Sequence, residues 1–313
     1  MTDLLLKSVA LTHEEVESLV ARFIKSLQDK RPETRGTYQR ALREFTRWFP
    51  LDGAFRFQVA DVLRYKDYLT NQRRLSAVSV STYLTALRRC CEYLISLKIL
   101  DANPARYVDG NKRPSVHSRE TLSGQDVNRL LDVMDKTNMR GLRDFAVIRL
   151  MLDAALSEIE IVRSDVSDLE KRGETTILRV QGKGRGAKDE AVELSPATTA
   201  AIDQYLALRK PASGSEPFAM SQGNRTRGKR MTTRGIRDRV NYYLELAGIK
   251  QGRLRRVTPY SLRHTAAVML ADAGASPDEI RRRMRLGSIA TAMLYINHKN
   301  RRATPNSTTT LPS

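Results

Sequence analysis

Apolar residues recur at helical spacing through most of this chain, and that pattern constrains the fold more than any other feature. In the first such segment Val16, Leu19, Val20 and Phe23 fall on one helical face. The same period marks four successive segments within the first hundred residues, namely 11–29, 33–49, 58–70 and 79–99. The sequence therefore predicts a helical N-terminal domain.

A stretch poor in apolar residues separates this region from the rest of the chain. Residues 101–120, DANPARYVDGNKRPSVHSRE, contain two prolines, a glycine and several basic residues, a composition typical of an interdomain linker. We therefore predict a first domain over 1–103, a linker over 104–120, a second domain over 121–298 and a polar tail over 299–313.

The second domain is also mostly helical, with one change of period. Residues 175–180 and 191–194 have the composition of strands, and they flank a tight basic turn at 182–186, as in a β-hairpin. An exposed loop is predicted over 211–230. Further helices are predicted over 121–131, 196–209 and 233–247, and the strongly apolar segment 143–156 is predicted to be buried. The predicted fold class is mainly α, with a small antiparallel sheet in the second domain.

Residues 258–297, TPYSLRHTAAVMLADAGASPDEIRRRMRLGSIATAMLYIN, predict three short helices. Ser276 and Glu279 form a capping-box pattern, and Pro277 fits the first position of the second helix. Gly274 closes the helix before it. The stretch places an arginine–histidine pair on the first helix and Tyr295 on the third.

The charge of the chain indicates its class of partner. It has 54 Lys and Arg residues against 35 Asp and Glu, a formal net charge of +19. Such an excess is expected of a protein that neutralises nucleic-acid phosphates, although ribosomal or membrane-surface proteins can share it. Arginines on polar faces or in basic clusters are candidate DNA contacts, with a solvated helix face as the alternative. They are Arg35, Arg40, Arg43, Arg88, Arg225, Arg227, Arg255 and Arg256.

Several other classes of protein do not fit the sequence. It contains no apolar run near the ~20 residues of a membrane span, and its first residues lack the features of a signal peptide. The adjacent Cys90 and Cys91 fit two reduced thiols better than a disulfide or a metal site. We predict a cytosolic protein without a metal or other cofactor.

Four segments together carry a family resemblance: GLRDFAVIRLMLDAALSEIEIV, LRVQGKGRGAKDEAVEL, TPYSLRHTAAVML and GSIATAMLYINH. In this order and spacing the chain resembles the tyrosine recombinases (phage-integrase family) from about residue 11 to 298. The resemblance implies a core-binding (SAM-like) helical domain that clamps DNA, followed by a catalytic domain. It also implies a bacterial, cytoplasmic, nucleoid-associated protein that integrates or recombines DNA, as mobile genetic elements require.

The resemblance implies a reaction in which a tyrosine attacks a DNA phosphodiester and leaves a 3′-phosphotyrosine and a free 5′-hydroxyl. Two arginines and a His or Trp hold the negative transition state, and a lysine protonates the leaving oxygen. Tyr295 matches the nucleophile, Arg263 the second arginine and Lys183 the lysine. His264 matches a neighbour that is usually structural.

Three positions depart from the family pattern. Ser157 stands where the first arginine is expected, Tyr260 replaces the histidine three residues before Arg263, and Leu286 replaces the later His or Trp. Serine is the most serious change, because it replaces a charged, bidentate donor with a short neutral hydroxyl. A displaced arginine could compensate. The candidates are Arg179, Arg185, Arg283 and Arg285.

Three hypotheses remain open from the sequence. The chain is an active, divergent recombinase, or a weakened or inactive DNA-binding subunit that acts beside an active partner recombinase. A helical transcription regulator, the third hypothesis, leaves the hairpin and the late tyrosine unexplained. Active relatives work as tetramers on two DNA duplexes, so we expect a homo- or hetero-oligomer on DNA.

Overall fold

The fold is described from a computed structural model, in which the chain divides into two compact units, Met1–Pro114 and Ser115–Ser313. The described residues are 8–52, 55–110, 120–182, 185–250 and 257–303. The fold is mainly helical with a small three-stranded sheet, which confirms the predicted fold class. Among these residues, no helix is long and apolar enough to span a membrane.

The first unit consists of helices, two of which have an N-terminus capped by a Thr or Ser side chain. Thr12, for example, accepts from the Glu15 N–H, and the Glu15 carboxylate accepts from the Thr12 N–H at 2.7 Å. The helices are α1 (His13–Ser26), α2 (Pro32–Asp52), α3 (Val59–Asp67) and α4 (Ala77–Ser96). A π-helical turn continues α3 over Tyr68–Gln72. These elements match the four segments predicted from apolar spacing.

An aromatic cluster fills the centre of the first unit. Phe45 packs edge-to-face on Tyr65 at 5.2 Å between ring centroids, and Trp48 lies 5.0 Å from the same ring. Ala105 and Val108 are also buried in this core. The first residues of the predicted 104–120 linker are therefore packed parts of the first unit.

The second unit contains eight helices within its described residues. They are α5 (Gly124–Asp132), α6 (Met139–Leu152), α7 (Glu158–Arg163), α8 (Pro196–Arg209), α9 (Thr233–Leu246), α10 (Pro259–Asp272), α11 (Pro277–Arg283) and α12 (Ile289–Ala303). Ser276 caps α11 as predicted and accepts from the Glu279 N–H at 3.2 Å, while the Glu279 carboxylate pairs with Arg283 rather than completing a capping box. Gly274 follows α10 with φ +85°, a conformation that suits glycine.

The three strands form an antiparallel sheet in the order β1 (Leu169–Arg172), β2 (Thr175–Val180) and β3 (Glu190–Leu194). The predicted hairpin is the β2–β3 pair, whose register joins Val180 to Glu190. Strand β1 was not predicted, because three of its four residues are charged and give no alternation of apolar side chains.

Helix α6 is the buried centre of the second unit. It begins at Met139, because the Asn138 side chain accepts from the Gly141 N–H at 2.9 Å, and it ends at Leu152. Ala155 lies in a turn at φ +52° that leads into α7. The apolar segment 143–156 is largely buried, as predicted, and it spans most of α6 and the turn that follows it.

The predicted exposed loop over 211–230 is wrong in its middle section. Phe218 and Ala219 are fully buried, and the Phe218 ring packs edge-to-face on Tyr205 of α8 at 5.9 Å. Residues 223–230 are exposed, as predicted. The many polar residues on either side hid this short apolar segment.

We predict that Gly141→Ala destabilises the second unit by about 1–3 kcal/mol or more. A Cβ at this position would lie 1.6 Å from the backbone oxygen of Asp135, which has no room to retreat. Urea unfolding of the parent, of Gly141→Ala and of the control Gly124→Ala measures the change in the free energy of unfolding. Gly124→Ala is the matched control, because its Cβ meets nothing within 4 Å and alanine favours a helix. Equal stability of the Gly141→Ala variant and the parent would contradict the prediction.

Candidate active site

Two arginines from separate parts of the second unit converge on one carboxylate. Arg263 of α10 donates from Nη1 to Glu160 Oε2 at 2.7 Å. Arg285, which follows α11, donates from Nε to Glu160 Oε1 at 2.6 Å. Both guanidiniums also donate to the backbone oxygen of Ala155, Arg263 at 2.5 Å and Arg285 at 2.9 Å. The paired positive charges are thus held side by side at the start of α7.

Glu160 is ionised in this arrangement. Its burial opposes ionisation, but the charges of Arg285 and Arg263, with the hydrogen bonds from Arg285 and the Ser157 N–H, lower the pKa of its carboxyl below the ordinary value. Glu160 is 2% exposed. Two guanidiniums against one carboxylate leave one net positive charge, which suits an anionic ligand.

Ser157, at the position expected for the first arginine, holds Glu160. Its backbone N–H and its hydroxyl both donate to Glu160 Oε2 at 2.7 Å, so the serine caps α7 and fixes the carboxylate. The turn before it supplies the Ala155 oxygen that both arginines share. The Ala155 oxygen and the Glu160 carboxylate therefore hold the two arginines, while the Ser157 side chain itself brings no charge.

Arg285 reaches the site through an unusual backbone conformation. Its φ is +51°, a region that costs most side chains about 1 kcal/mol, and its Nη1 donates to the Arg283 oxygen at 2.8 Å. The bonds to Glu160 offset this strain. Only a few per cent of its side chain is exposed. Of the four arginines proposed as substitutes for the missing one, this is the one that joins Arg263 on Glu160.

The other three candidates have different partners. Arg179 pairs with Glu170 across the sheet, and this hydrogen bond raises the pKa of the Arg179 guanidinium. Arg283 pairs with Glu279 at 3.0 Å on the exposed face of α11. Arg185 pairs with Asp189 and Glu190 at the end of the hairpin.

Tyr295, on α12, is buried against α10. Its Oη lies 2.7 Å from Nδ1 of His264, and the two residues are 3% and 4% exposed. The Tyr260 ring packs edge-to-face on the His264 ring at 4.8 Å between centroids. Tyr295 also packs in one small apolar cluster with Ala155 and Met284, whose carbonyl oxygens accept from Arg263. The nucleophile candidate and the arginine pair therefore belong to one packed unit.

A cavity of about 460 Å³ opens beside Arg285. The end of the β2–β3 hairpin lines it from one side, through Gly182 and Arg185, and Leu286 lines it from the other. Arg281 and Arg282 add two further guanidiniums to its wall. Its four arginines outnumber Asp189 and Glu190, which also line the cavity and pair with Arg185, and this excess of positive charge fits a phosphate backbone. Leu286 offers only apolar contact, as expected from its replacement of a His or Trp.

One donor of Arg263 has no acceptor. Its Nε is buried and makes no hydrogen bond to any of the residues that the structure describes, although Nη1 and Nη2 are bonded to Glu160, Ala155 and Met284. A buried N–H without a partner costs roughly 1–3 kcal/mol. An oxygen-bearing ligand at this edge of the guanidinium would remove that cost.

Several predicted residues lie elsewhere or outside the described part of the chain. Lys183, Arg255 and Arg256 are outside it. Arg88 donates to the Ala105 oxygen at 2.7 Å and to the Val108 oxygen, so its guanidinium supports the first unit's own backbone. The remaining predicted DNA contacts are at least partly exposed. They are Arg35, Arg40, Arg43, Arg225 and Arg227.

Glu160 was not predicted as a site residue. A local signal was present, because Ser157 and Glu160 have the capping-box spacing that begins α7. Arg281 and Arg282 were also not predicted as site residues, although they directly precede the candidate Arg283. The buried Cys90 and Cys91 of α4 are free cysteines, and burial raises the pKa of Cys90 to about 12.

Comparison with known proteins gives a consistent result. The chain matches the model of the phage integrase family over residues 120–302. It is 29% identical to tyrosine recombinase XerC of Escherichia coli over 286 residues, which cover 90% of this chain and 91% of that protein.

Two solved structures have the same fold. The XerH site-specific recombinase bound to palindromic difH substrate, in a post-cleavage complex, gives a TM-score of 0.70 at 16% identity, covering 94% of this chain and 83% of that chain. A lambda integrase dimer bound to a COC′ core site gives 0.68 at 12% identity, covering 91% and 78%.

Proposed function

The chain belongs to the phage integrase family, and from that premise we propose that it cuts and rejoins DNA at a specific site. Tyr295 Oη attacks a backbone phosphorus and forms a 3′-phosphotyrosine, while the 5′-oxygen leaves. A 5′-hydroxyl of a second strand reverses the step. The bond energy is conserved in the phosphotyrosine, so the cycle needs neither ATP nor a metal ion.

The convergence of Arg263 and Arg285 on Glu160 is the observation that carries this proposal. Phosphoryl transfer builds negative charge on the non-bridging oxygens, and a pair of preorganised guanidiniums stabilises that charge. In this chain Arg285 supplies the charge that Ser157 lacks. The unbonded Nε of Arg263 supports the same proposal, since a phosphoryl oxygen would give it an acceptor.

The remaining family positions take the following roles in the proposal. Lys183, which lies outside the described residues, protonates the leaving 5′-oxygen, the role that the family resemblance gives it. Tyr260 offers a hydroxyl where the family has a histidine. Leu286 closes the cavity wall without contributing a charge or a donor.

Double-stranded DNA is the proposed substrate. The net charge of +19 favours a phosphate backbone, and the XerH and lambda integrase structures are complexes with DNA sites. The first unit serves as the DNA clamp, with Arg35, Arg40 and Arg43 on its α2 face as phosphate contacts. Arg225 and Arg227 add exposed contacts from the second unit. We propose that the chain assembles on DNA with further copies of itself or with a second recombinase.

A nicked suicide duplex that carries the cognate site tests the proposal. The wild-type chain should form a protein–DNA adduct that survives denaturation, and Tyr295→Phe should form none, because it lacks the attacking oxygen. Filter binding of both proteins serves as the control for DNA affinity. Specific binding without any wild-type adduct, with a partner recombinase supplied, would overturn the proposal.

One observation favours a second function, that of a non-catalytic DNA-binding subunit. Tyr295 is 3% exposed and its hydroxyl is held by His264, so the described conformation does not present it to a phosphate. Under this alternative the chain contributes DNA contacts and assembly surfaces, and an active partner cuts both strands. In the suicide assay every adduct would then carry the partner's mass.

A further inference from the structure

We propose that His264 is the general base that accepts the proton of Tyr295 during attack on the phosphate; this inference rests on the proposed strand-cutting function. The family position of His264 is ordinarily a structural one. In this chain the residue that would occupy the family's histidine site is Tyr260, which carries no imidazole. His264 is therefore the imidazole that this turn of α10 places beside the nucleophile.

The geometry supplies that acceptor. His264 Nδ1 and Tyr295 Oη lie 2.7 Å apart, within the reach required for direct proton transfer. Both residues are almost completely buried in this conformation, so the pair is preformed, and DNA must reach the Tyr295 hydroxyl while its hydrogen bond to His264 is kept. Arg263 precedes His264 in α10, and one turn of one helix thus carries both the proton acceptor and the phosphate-binding guanidinium.

The groups around His264 suit the role. Tyr260 from its own helix and Tyr295 from α12 contact the imidazole, and the adjacent Arg263 is neutralised in part by Glu160 of α7. Arg285 shares the same carboxylate. An imidazole beside two phenols and a partly balanced arginine pair can accept a proton at Nδ1 when Nε2 carries the ring hydrogen.

The step balances as follows. The Tyr295 O–H bond breaks and its proton moves to His264 Nδ1 as the Oη–phosphorus bond forms. The bond between phosphorus and the 5′-oxygen breaks, and that oxygen takes a proton from Lys183 in the proposed scheme. In the reverse step the 5′-hydroxyl gives its proton back to Lys183, and His264 returns its proton to the tyrosine.

A substrate with a 5′-bridging sulfur separates the two proton transfers. A thiolate leaves without protonation, so this duplex should restore cleavage to Lys183→Ala but not to His264→Asn. We expect His264→Asn to lower adduct formation on the ordinary duplex by about 10²-fold or more, because general base catalysis contributes at least that factor. Asparagine keeps a polar group near the Nδ1 position, and thermal unfolding checks that the variant folds.

The pH profile adds a readout that a structural role would not move. The defect of His264→Asn should shrink as pH rises toward ~10, where tyrosine ionises without help. Nitrogen-15 NMR of the four histidines should find His264 in wild type with Nδ1 unprotonated. His13→Asn, on the exposed face of α1, is the matched control and should cleave like wild type.

Each outcome decides between the ideas. Three results would overturn the general-base role of His264 and leave the proposed function intact. They are cleavage by His264→Asn within threefold of wild type, a cleavage defect that is constant across pH, and rescue of His264→Asn by the bridging sulfur. An absence of adduct with wild-type protein would overturn the proposed function itself, and the role of His264 with it.

Discussion

Arg285→Gly is expected to lower the rate of adduct formation on the suicide duplex by about 10²–10³-fold, equivalent to about 2.7–4 kcal/mol of transition-state stabilisation. The guanidinium lies beside that of Arg263 on Glu160, and its loss leaves one cation to hold the charge of the phosphorane. Glycine is the preferred replacement, because residue 285 has φ +51° and glycine adopts this conformation without strain.

Arg283→Ala provides the matched control for this prediction. Arg283 lies two residues away in the same basic run, but its guanidinium is exposed and pairs with Glu279. Its replacement should change the cleavage rate by less than threefold. Arg285→Lys should fall between the two variants, since lysine keeps the charge but not the planar fork that contacts Glu160 and Ala155 together.

The assay can refute the displaced-arginine idea directly. If Arg285→Gly and Arg283→Ala slow cleavage equally, Arg285 contributes no more to the rate than the exposed Arg283 does. The site would then work with Arg263 alone. DNA affinity must be measured for each variant, because a common loss of phosphate contacts would lower binding rather than the rate of the bound complex.

The helices of this chain were predictable, because their signals are local. Ser276, Pro277 and Glu279 determine the start of α11 within four residues, and the structure has its cap at Ser276. Strand β1 was not predicted, because it has no such local signal. Its side chains are mostly charged, and it is held by pairing with β2 rather than by a pattern of its own.

The arginine pair was beyond the reach of sequence patterns. Glu160 and Arg285 are separated by 125 residues, and no spacing along the chain indicates that they meet. The sequence could name four arginines as candidates, but all four lie in basic segments of similar composition. The choice depends on the backbone turn at residue 285 and on the buried carboxylate that receives it.

From the sequence alone, Ser157 could be recognised only as the loss of the family's first arginine. Serine there removes a charge, yet the same residue caps α7 and fixes the carboxylate that holds both arginines. The departure from the family pattern and the rearrangement that accompanies it are therefore two parts of one hydrogen-bond network. A substitution at Glu160 should disturb that network more than one at any exposed acidic residue.

Glu160→Gln is expected to destabilise the protein by about 3–5 kcal/mol at pH 7, because it leaves two buried guanidiniums without their counter-charge. Urea unfolding measures the change. Glu158→Gln is the matched control, being the same substitution two residues earlier in α7. Its effect should stay within about 1 kcal/mol, the size of a helix-dipole contribution in the first turn.

The stability that the Glu160 carboxylate contributes is expected to fall at low pH. The folded-state pKa of Glu160 is depressed by its arginines, so its contribution to stability is fully present above the unfolded pKa of about 4.3 and is lost as pH falls through the folded value. The wild-type advantage over Glu160→Gln should accordingly be constant from pH 7 to about 5 and shrink below about 4. A difference that stays constant down to pH 3 would mean that the carboxylate charge contributes nothing and that only its shape matters. Loss of adduct formation by Glu160→Gln under conditions where it remains folded would then tie the same carboxylate to the alignment of Arg263 and Arg285.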